Sequence, residues 1–263
     1  MEYVGYFTSV LIGISLGLVG GGGSILTVPV LVYIFGMDAA AATIYSLFIV
    51  GSTSAVGSIN YFKKGLINIK TALVFGIPSI IGVFITRVFI VPAIPDPVCT
   101  LGSFSITKHI LLMLLFALLM IGASYSMIRK TTVPNTKGDN HLNYFFIILQ
   151  GFAVGVVTGM VGAGGGFMII PALILMLRLP MKEAIGTSLL IITTNSLLGF
   201  FSSAGHIIIQ WPFLLLITLF AVAGIFIGIR LSKNIDGAKL KPVFGWFVLA
   251  MGIYIILKEA VIK

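Results

Sequence analysis

Apolar positions fall along the chain in eight blocks, at about 4–36, 39–62, 66–91, 107–129, 142–178, 181–204, 207–230 and 240–260. Six are close to the ~20 residues that a membrane-spanning helix needs. The first and fifth are too long for one span, and glycine runs interrupt both: Gly20-Gly21-Gly22-Gly23-Ser24 and Gly162-Ala163-Gly164-Gly165-Gly166. The most polar stretch, 129–143, contains KTTVPNTKGDN and reads as a linker. This pattern predicts an all-α, polytopic membrane protein with repeats at 1–130 and 142–263 joined by 131–141. Each repeat is a Gly-broken re-entrant or short-helix hairpin followed by three transmembrane helices.

The two halves are copies. Shifting the chain by 142 residues brings Gly13, Gly17, Gly20, Gly22, Gly23, Pro29, Ala42, Ser46, Ser54 and Gly57 onto Gly155, Gly159, Gly162, Gly164, Gly165, Pro171, Ala184, Ser188, Ser196 and Gly199. There are 14 identities in 45 positions without a gap. Shared membrane composition accounts for Leu, Ile and Val matches, but not for glycines and a proline in register.

Charge chooses between parallel and inverted copies. If each interrupted block crosses once, the 16 basic residues divide eight against eight. If each block returns to the side it left, twelve share one side and Arg87, Lys108, Lys258 and Lys263 face the other, which satisfies the positive-inside rule. The arms at 24–35 and 166–177, 12 residues each, make about 18 Å of helix and are too short for a ~30 Å core. Inverted repeats with both termini outside and the linker in the cytoplasm are expected.

Composition narrows the class. Apolar residues are 59% and charged residues 9% of the chain, against ~25% charged in soluble domains, so a water-soluble globule is excluded. The net charge of +9 is accounted for by cytoplasmic Lys and Arg, not by a nucleic-acid partner. The N-terminus lacks the basic region of a secretory signal and reads as a retained membrane element. One cysteine, Cys99, permits no internal disulfide, and neither a zinc-ligand set nor a cofactor box is visible. The acids Glu2, Asp38, Asp96, Asp139, Glu183, Asp236 and Glu259 all lie at block ends or in loops, which disfavours a cation substrate. Asp38 and Glu183 read as helix caps or first-turn acids. Arg87 and Arg178 end apolar blocks and are expected to snorkel to the headgroups. An intramembrane enzyme would need a base or a metal beside its nucleophile, and no mid-membrane His, Asp or Glu supplies one.

The glycine runs carry the candidate chemistry. Non-helical backbone at membrane depth is tolerated only where it is buried in protein or lines a watery cavity. Each short arm begins at its run, so two helix N-termini would point inward and form a cationic niche suited to an anion. The candidate site therefore comprises Gly20, Gly21, Gly22, Gly23 and Ser24 with Gly162, Ala163, Gly164, Gly165 and Gly166. Polar groups of the following helices join it: Ser46 and Thr53 in the first half, Thr187, Ser188, Thr194 and Asn195 in the second. The bland alternative is close helix packing, which fits Gly13-x-x-x-Gly17, Gly155-x-x-x-Gly159 and Gly224-x-x-x-Gly228. Such faces also permit a homodimer.

The element G-x-x-G-x-G-G-(S/G)-x-x-x-x-P, at 17–29 and again at 159–171, is followed by A-x-x-x-S-L at 42–47 and 184–189. It resembles the TauE/SafE family of sulfite exporters, also called the TSUP family, and the likeness covers essentially the whole chain. The resemblance implies a multi-pass permease of the plasma membrane for small sulfur-containing anions such as sulfite, sulfoacetate or other sulfonates, and thiosulfate, with the glycine turns as its site. A carrier that rocks one repeat against the other is the leading expectation. A channel or a permease for another small organic anion is the alternative.

Overall fold

With no water to bond their backbone, long apolar runs close their own hydrogen bonds, and the chain is helical nearly throughout. The computed structural model describes residues 2–101, 104–128, 144–162, 165–175, 177, 179–232 and 237–261. Ala163, Gly164 and the 129–143 linker lie outside them. The first half runs α1 (Glu2–Val19), a 3-10 segment (Gly20–Leu26), α2 (Thr27–Tyr33), α3 (Ala39–Lys63) and α4 (Ile69–Ile85). A π-turn (Thr86–Ile90) carries α4 into the short α5 (Val91–Ala93). A ribbon of two paired strands, β1 (Cys99–Leu101) and β2 (Phe104–Ile106), precedes α6 (Lys108–Ile128); it is a local addition to the helical pattern. The second half runs α7 (Tyr144–Val161), α8 (Gly166–Leu175), α9 (Met181–Ser203), α10 (Trp211–Leu231) and α11 (Gly237–Val261).

Among the described residues, Ala39–Lys63, Ile69–Ala93, Met181–Ser203 and Trp211–Leu231 are long and apolar enough to cross a membrane. The two that begin the post-break helices, α3 and α9, are central: 67% of each is buried, against 39% for Ile69–Ala93 and 44% for α10. The outer helices turn Phe84, Phe89, Phe145, Leu219 and Phe226 outward, as lipid-facing helices do. Asp38 caps α3, its Oδ2 accepting from the N–H groups of Ala40 and Ala41, and Glu183 lies in the first turn of α9. Asn68 caps α4 by accepting from Thr71 N–H.

Side-chain neighbours give the helix directions. Between α3 and α9, Gly51 lies against Ser196 and Leu197, Gly57 against Leu189, and Tyr61 against Gly186, so these two are antiparallel. Between α3 and α10, Tyr45 meets Gln210, Phe48 meets Trp211 and Gly57 meets Ile225, so these are parallel. Helix α1 runs with α10, Gly13 on Ala221 and Gly17 on Gly228. Helix α4 runs with both α7 and α9: Ser79 touches Gly155 on one side and Asn195 on the other, and Val83 touches Gly199. Helices α1, α3 and α10 therefore point one way and α4, α7 and α9 the other. Each is opposed to its counterpart 142 residues away.

The hydrogen bonds repeat the same relation. Gln210 N–H donates to the Tyr45 hydroxyl at 2.7 Å, and Asn68 N–H donates to Thr187 Oγ1 at 3.0 Å. Positions 45 and 187, and 68 and 210, are equivalent in the two halves, so each helix start is tied to the other half. The last turns of α3 and α10 and the first turns of α4 and α9 share one end of the bundle, which carries Lys63, Lys64, Lys70, Lys182 and Arg230. The opposite end carries Asp38, Lys108, His109, Lys258 and Glu259, joined through His109, whose Nδ1 lies 3.3 Å from Asp38 Oδ1 and whose Nε2 lies 3.7 Å from Glu259 Oε1.

Two outcomes are expected from this packing. The Asp38 carboxyl is held below the usual carboxylate range chiefly by its hydrogen bond to His109, against partial desolvation and with help from the Ala40 and Ala41 N–H groups. Because its folded pKa is depressed, its stabilisation is full above ~4 and disappears as pH falls through the folded value. Asp38→Ala should cost about 1 kcal/mol at pH 7, and the wild-type and variant melting curves should converge at acid pH. Gly155→Leu drives a side chain into the Ser79 backbone and should destabilise by about 1–3 kcal/mol, whereas Gly122→Leu, which meets nothing within 4 Å, should melt like the wild type in detergent.

Candidate functional site

Both glycine runs break the helix at the same repeat position. Gly20 and Gly162 have φ of 71° and 73°, left-handed backbone that a side chain resists, and α1 and α7 stop there. Gly20 lies against Ile185, and Gly21 against Ile192, which puts the first break between the second and fourth turns of α9, with Gly20 at the second. Gly162 lies against Thr43, and its carbonyl accepts from the Ser46 hydroxyl, which puts the second break at the same depth in α3 from the opposite end. Gly21 and Gly166 press backbone to backbone; a Cβ on either would overlap the other. Irregular backbone thus lies inside the bundle, covered by protein.

The two breaks lead into different kinds of helix. After Gly162 and Gly165, the latter also left-handed with φ 67°, a ten-residue α-helix starts directly at Gly166. After Gly20 the chain continues as a 3-10 helix through Gly21, Gly22, Gly23 and Ser24 to Leu26, and α-helix resumes only at Thr27 for seven residues. A run without Cβ atoms winds tightly enough for the i→i+3 pattern, and Ser24 Oγ reinforces it by donating to Gly21 O at 2.7 Å. The two N-termini expected from the repeat are therefore unlike: one arm enters α-helix directly at Gly166, the other begins as 3-10 helix at Gly20 and reaches α-helix only at Thr27.

The expected polar groups divide into four kinds. Ser46, fully buried, bridges the halves through Gly162. Thr53, Ser188 and Thr194 donate to carbonyls of their own helices, to Ile49 at 2.6 Å, Ile185 at 2.9 Å and Ile191 at 2.9 Å. Thr187 accepts from Asn68 N–H and serves the start of α4 instead of the breaks. Asn195 is buried at the α9–α4 contact, where its Nδ2 donates to Ser79 Oγ at 2.6 Å and its Oδ1 has no partner among the described residues. The hydroxyls of Ser54 and Ser196, repeat-equivalent and fully buried, also lack partners among the described residues.

Sequence reading missed a second polar group beside the Gly162 turn. Arg87, expected at the headgroups, is only 2% exposed. The apolar run continues past it to Ala93, so it sits inside a 25-residue span and not at its end. Its Nη1 donates to Thr43 Oγ1 at 3.2 Å, while Nε and Nη2 have no partner among the described residues. Thr86 and Thr158 are also buried, their hydroxyls without a partner among the described residues; Thr86 packs on Gly159, and Thr158 on Gly165. The legible signal was Arg87 with apolar sequence on both sides, since a charge inside a span turns toward the protein. A cavity of about 560 Å³, lined by residues including Tyr6, Phe35, Ala41, Tyr45, Gln210 and Phe213, opens beside the first two turns of α3.

A bundle of apolar helices with irregular, protein-covered backbone at membrane depth defines a multi-pass protein of the cell membrane built to handle a solute. The profile of the family described as "Sulfite exporter TauE/SafE" matches residues 6–255. The chain is 31% identical over 254 residues, covering 94% of itself and 91% of the relative, to a "Probable membrane transporter protein" of Xylella fastidiosa strain 9a5c. It is 27% identical over 253 residues, covering 86% and 87%, to the "Probable membrane transporter protein YunE" of Bacillus subtilis strain 168. No solved structure matches it. The chain belongs to the TauE/SafE family and is a membrane transporter of that type.

The Asn195–Ser79 pair offers a local test. Ser79→Ala leaves the buried amide unpaired and should destabilise by about 1–3 kcal/mol, and adding Asn195→Leu should recover most of the loss in thermal unfolding.

Proposed function

We propose that the protein carries small sulfur-containing anions, sulfite or a sulfonate foremost and thiosulfate as a further candidate, by alternating access around the two glycine breaks. The observation that carries this reading is the Gly21–Gly166 contact at membrane depth. Two inverted halves meeting through their least regular backbone give a junction that can rock without breaking regular helix. Amide groups at the start of α8 and the unpartnered hydroxyls nearby favour an anion over a cation. The family description supports sulfite, and the names of the relatives support transport. The cavity beside Tyr45 provides a vestibule at one end. The excess of basic residues at the other end supports a cytoplasmic placement for it.

Purified protein in liposomes should take up labelled sulfite or methanesulfonate with saturation. Gly21→Val and Gly166→Val should each lower the rate at least tenfold at equal incorporation. Linear, non-saturating flux would instead favour a channel, and unchanged flux in both variants would remove the site from the breaks.

A further inference from the structure

We propose that Arg87 is the anion-recognising side chain and that the binding site is therefore displaced from the centre of the repeat to the second break. This rests on the anion-carrier reading above and deepens it by naming the ligand's partner and the geometry it must match. The guanidinium is buried among apolar helices, and among the described residues no carboxylate pairs with it. Holding such a cation away from water without a counter-charge is costly, and a bound anion removes that cost. Its own hydrogen bond orients it: Nη1 is tied to Thr43, whose Cα, Cβ and carbonyl oxygen lie against Gly162. The atoms left open, Nε and Nη2, form the side-on fork of the guanidinium, which donates two roughly parallel hydrogen bonds.

That fork suits a ligand presenting two oxygens on one centre, as sulfite and sulfonates do, and is poorly matched to a halide. The hydroxyls of Thr86 and Thr158, both buried and unpartnered among the described residues, also belong to residues that border the second break, Thr86 packing against Gly159 and Thr158 against Gly165. The helix that begins at Gly166 adds its N-terminal dipole. The first break has no such set: the repeat equivalents of Arg87, Thr43 and Thr158 are Ile229, Ile185 and Leu16. One break recognises the ligand, and the other supplies the packing surface against which it moves.

The test is anion-dependent thermal unfolding of the full chain in detergent, with sodium sulfite and sodium methanesulfonate as probes and sodium chloride at matched ionic strength as control. The wild type should be stabilised by the oxyanions beyond the chloride control. Arg87→Lys, which keeps the charge and loses the fork, should weaken the apparent affinity at least tenfold. Arg87→Met should abolish the response while melting without ligand at or above the wild-type temperature, because an unpaired buried charge has been removed. Thr43→Val should weaken binding to a lesser degree and provides a second readout if Arg87→Met does not fold. Equal oxyanion affinity in wild type and Arg87→Lys, or a wild type that responds to neither oxyanion, would overturn the proposal. Intact Arg87-dependent binding without flux in liposomes would leave the Arg87 site standing and remove the transport reading. Flux that is indifferent to Arg87→Lys would do the reverse.

Discussion

Backbone amides at membrane depth must be bonded or covered, and that requirement governs this molecule. Two helices stop at left-handed glycines inside the bundle, so the exposed turns need partners from elsewhere in the chain. Each break finds them in the other half: Gly162 in Thr43 and Ser46 of α3, Gly20 in Ile185 of α9, and Gly21 and Gly166 in one another. The central antiparallel pair α3 and α9 therefore acts as a wall for both breaks. The glycines along α1, α7 and α10 let the outer helices approach closely enough to close the bundle around it, as Gly13 does on Ala221 and Gly155 on Ser79.

The repeat organises the scaffold more faithfully than it organises the chemistry. Paired bonds such as Gln210 to Tyr45 and Asn68 to Thr187 obey the duplication, because both halves must start their helices against the same kind of neighbour. Side chains facing the breaks do not obey it. Thr43, Arg87 and Thr158 have apolar counterparts, Ser46 bonds across the halves while Ser188 bonds back to its own helix, and one arm begins as 3-10 where the other begins as α-helix. Divergence at the breaks costs the fold little, because the helix packing that the halves share runs through glycine contacts and helix starts and not through those side chains.

Much of this architecture is already written in the chain. The blocks, the 142-residue offset, the division of basic residues and the cap at Asp38 are local or periodic features, and hydrophobic length, helix termini and charge act on them directly. Expected membership of the TauE/SafE family came from the doubled glycine element, which is likewise contiguous. The candidate site was only partly legible. Ser46, Gly20, Gly21, Gly162 and Gly166 lie at the junction, whereas Thr187 serves a helix start, and Arg87 read as an interfacial residue.

What the tertiary structure alone decided is which polar groups face each other. A position in sequence sets a residue's depth only to within a few turns, and a helix's neighbours determine whether the face it occupies meets lipid or protein. Arg87 is buried because α4 extends to α5 through a π-turn and packs beside α7 and α9, and the start of α3 supplies its Thr43 partner from 44 residues away in the chain. Periodicity carries no information about such pairings, since they arise only when opposed halves close around one another.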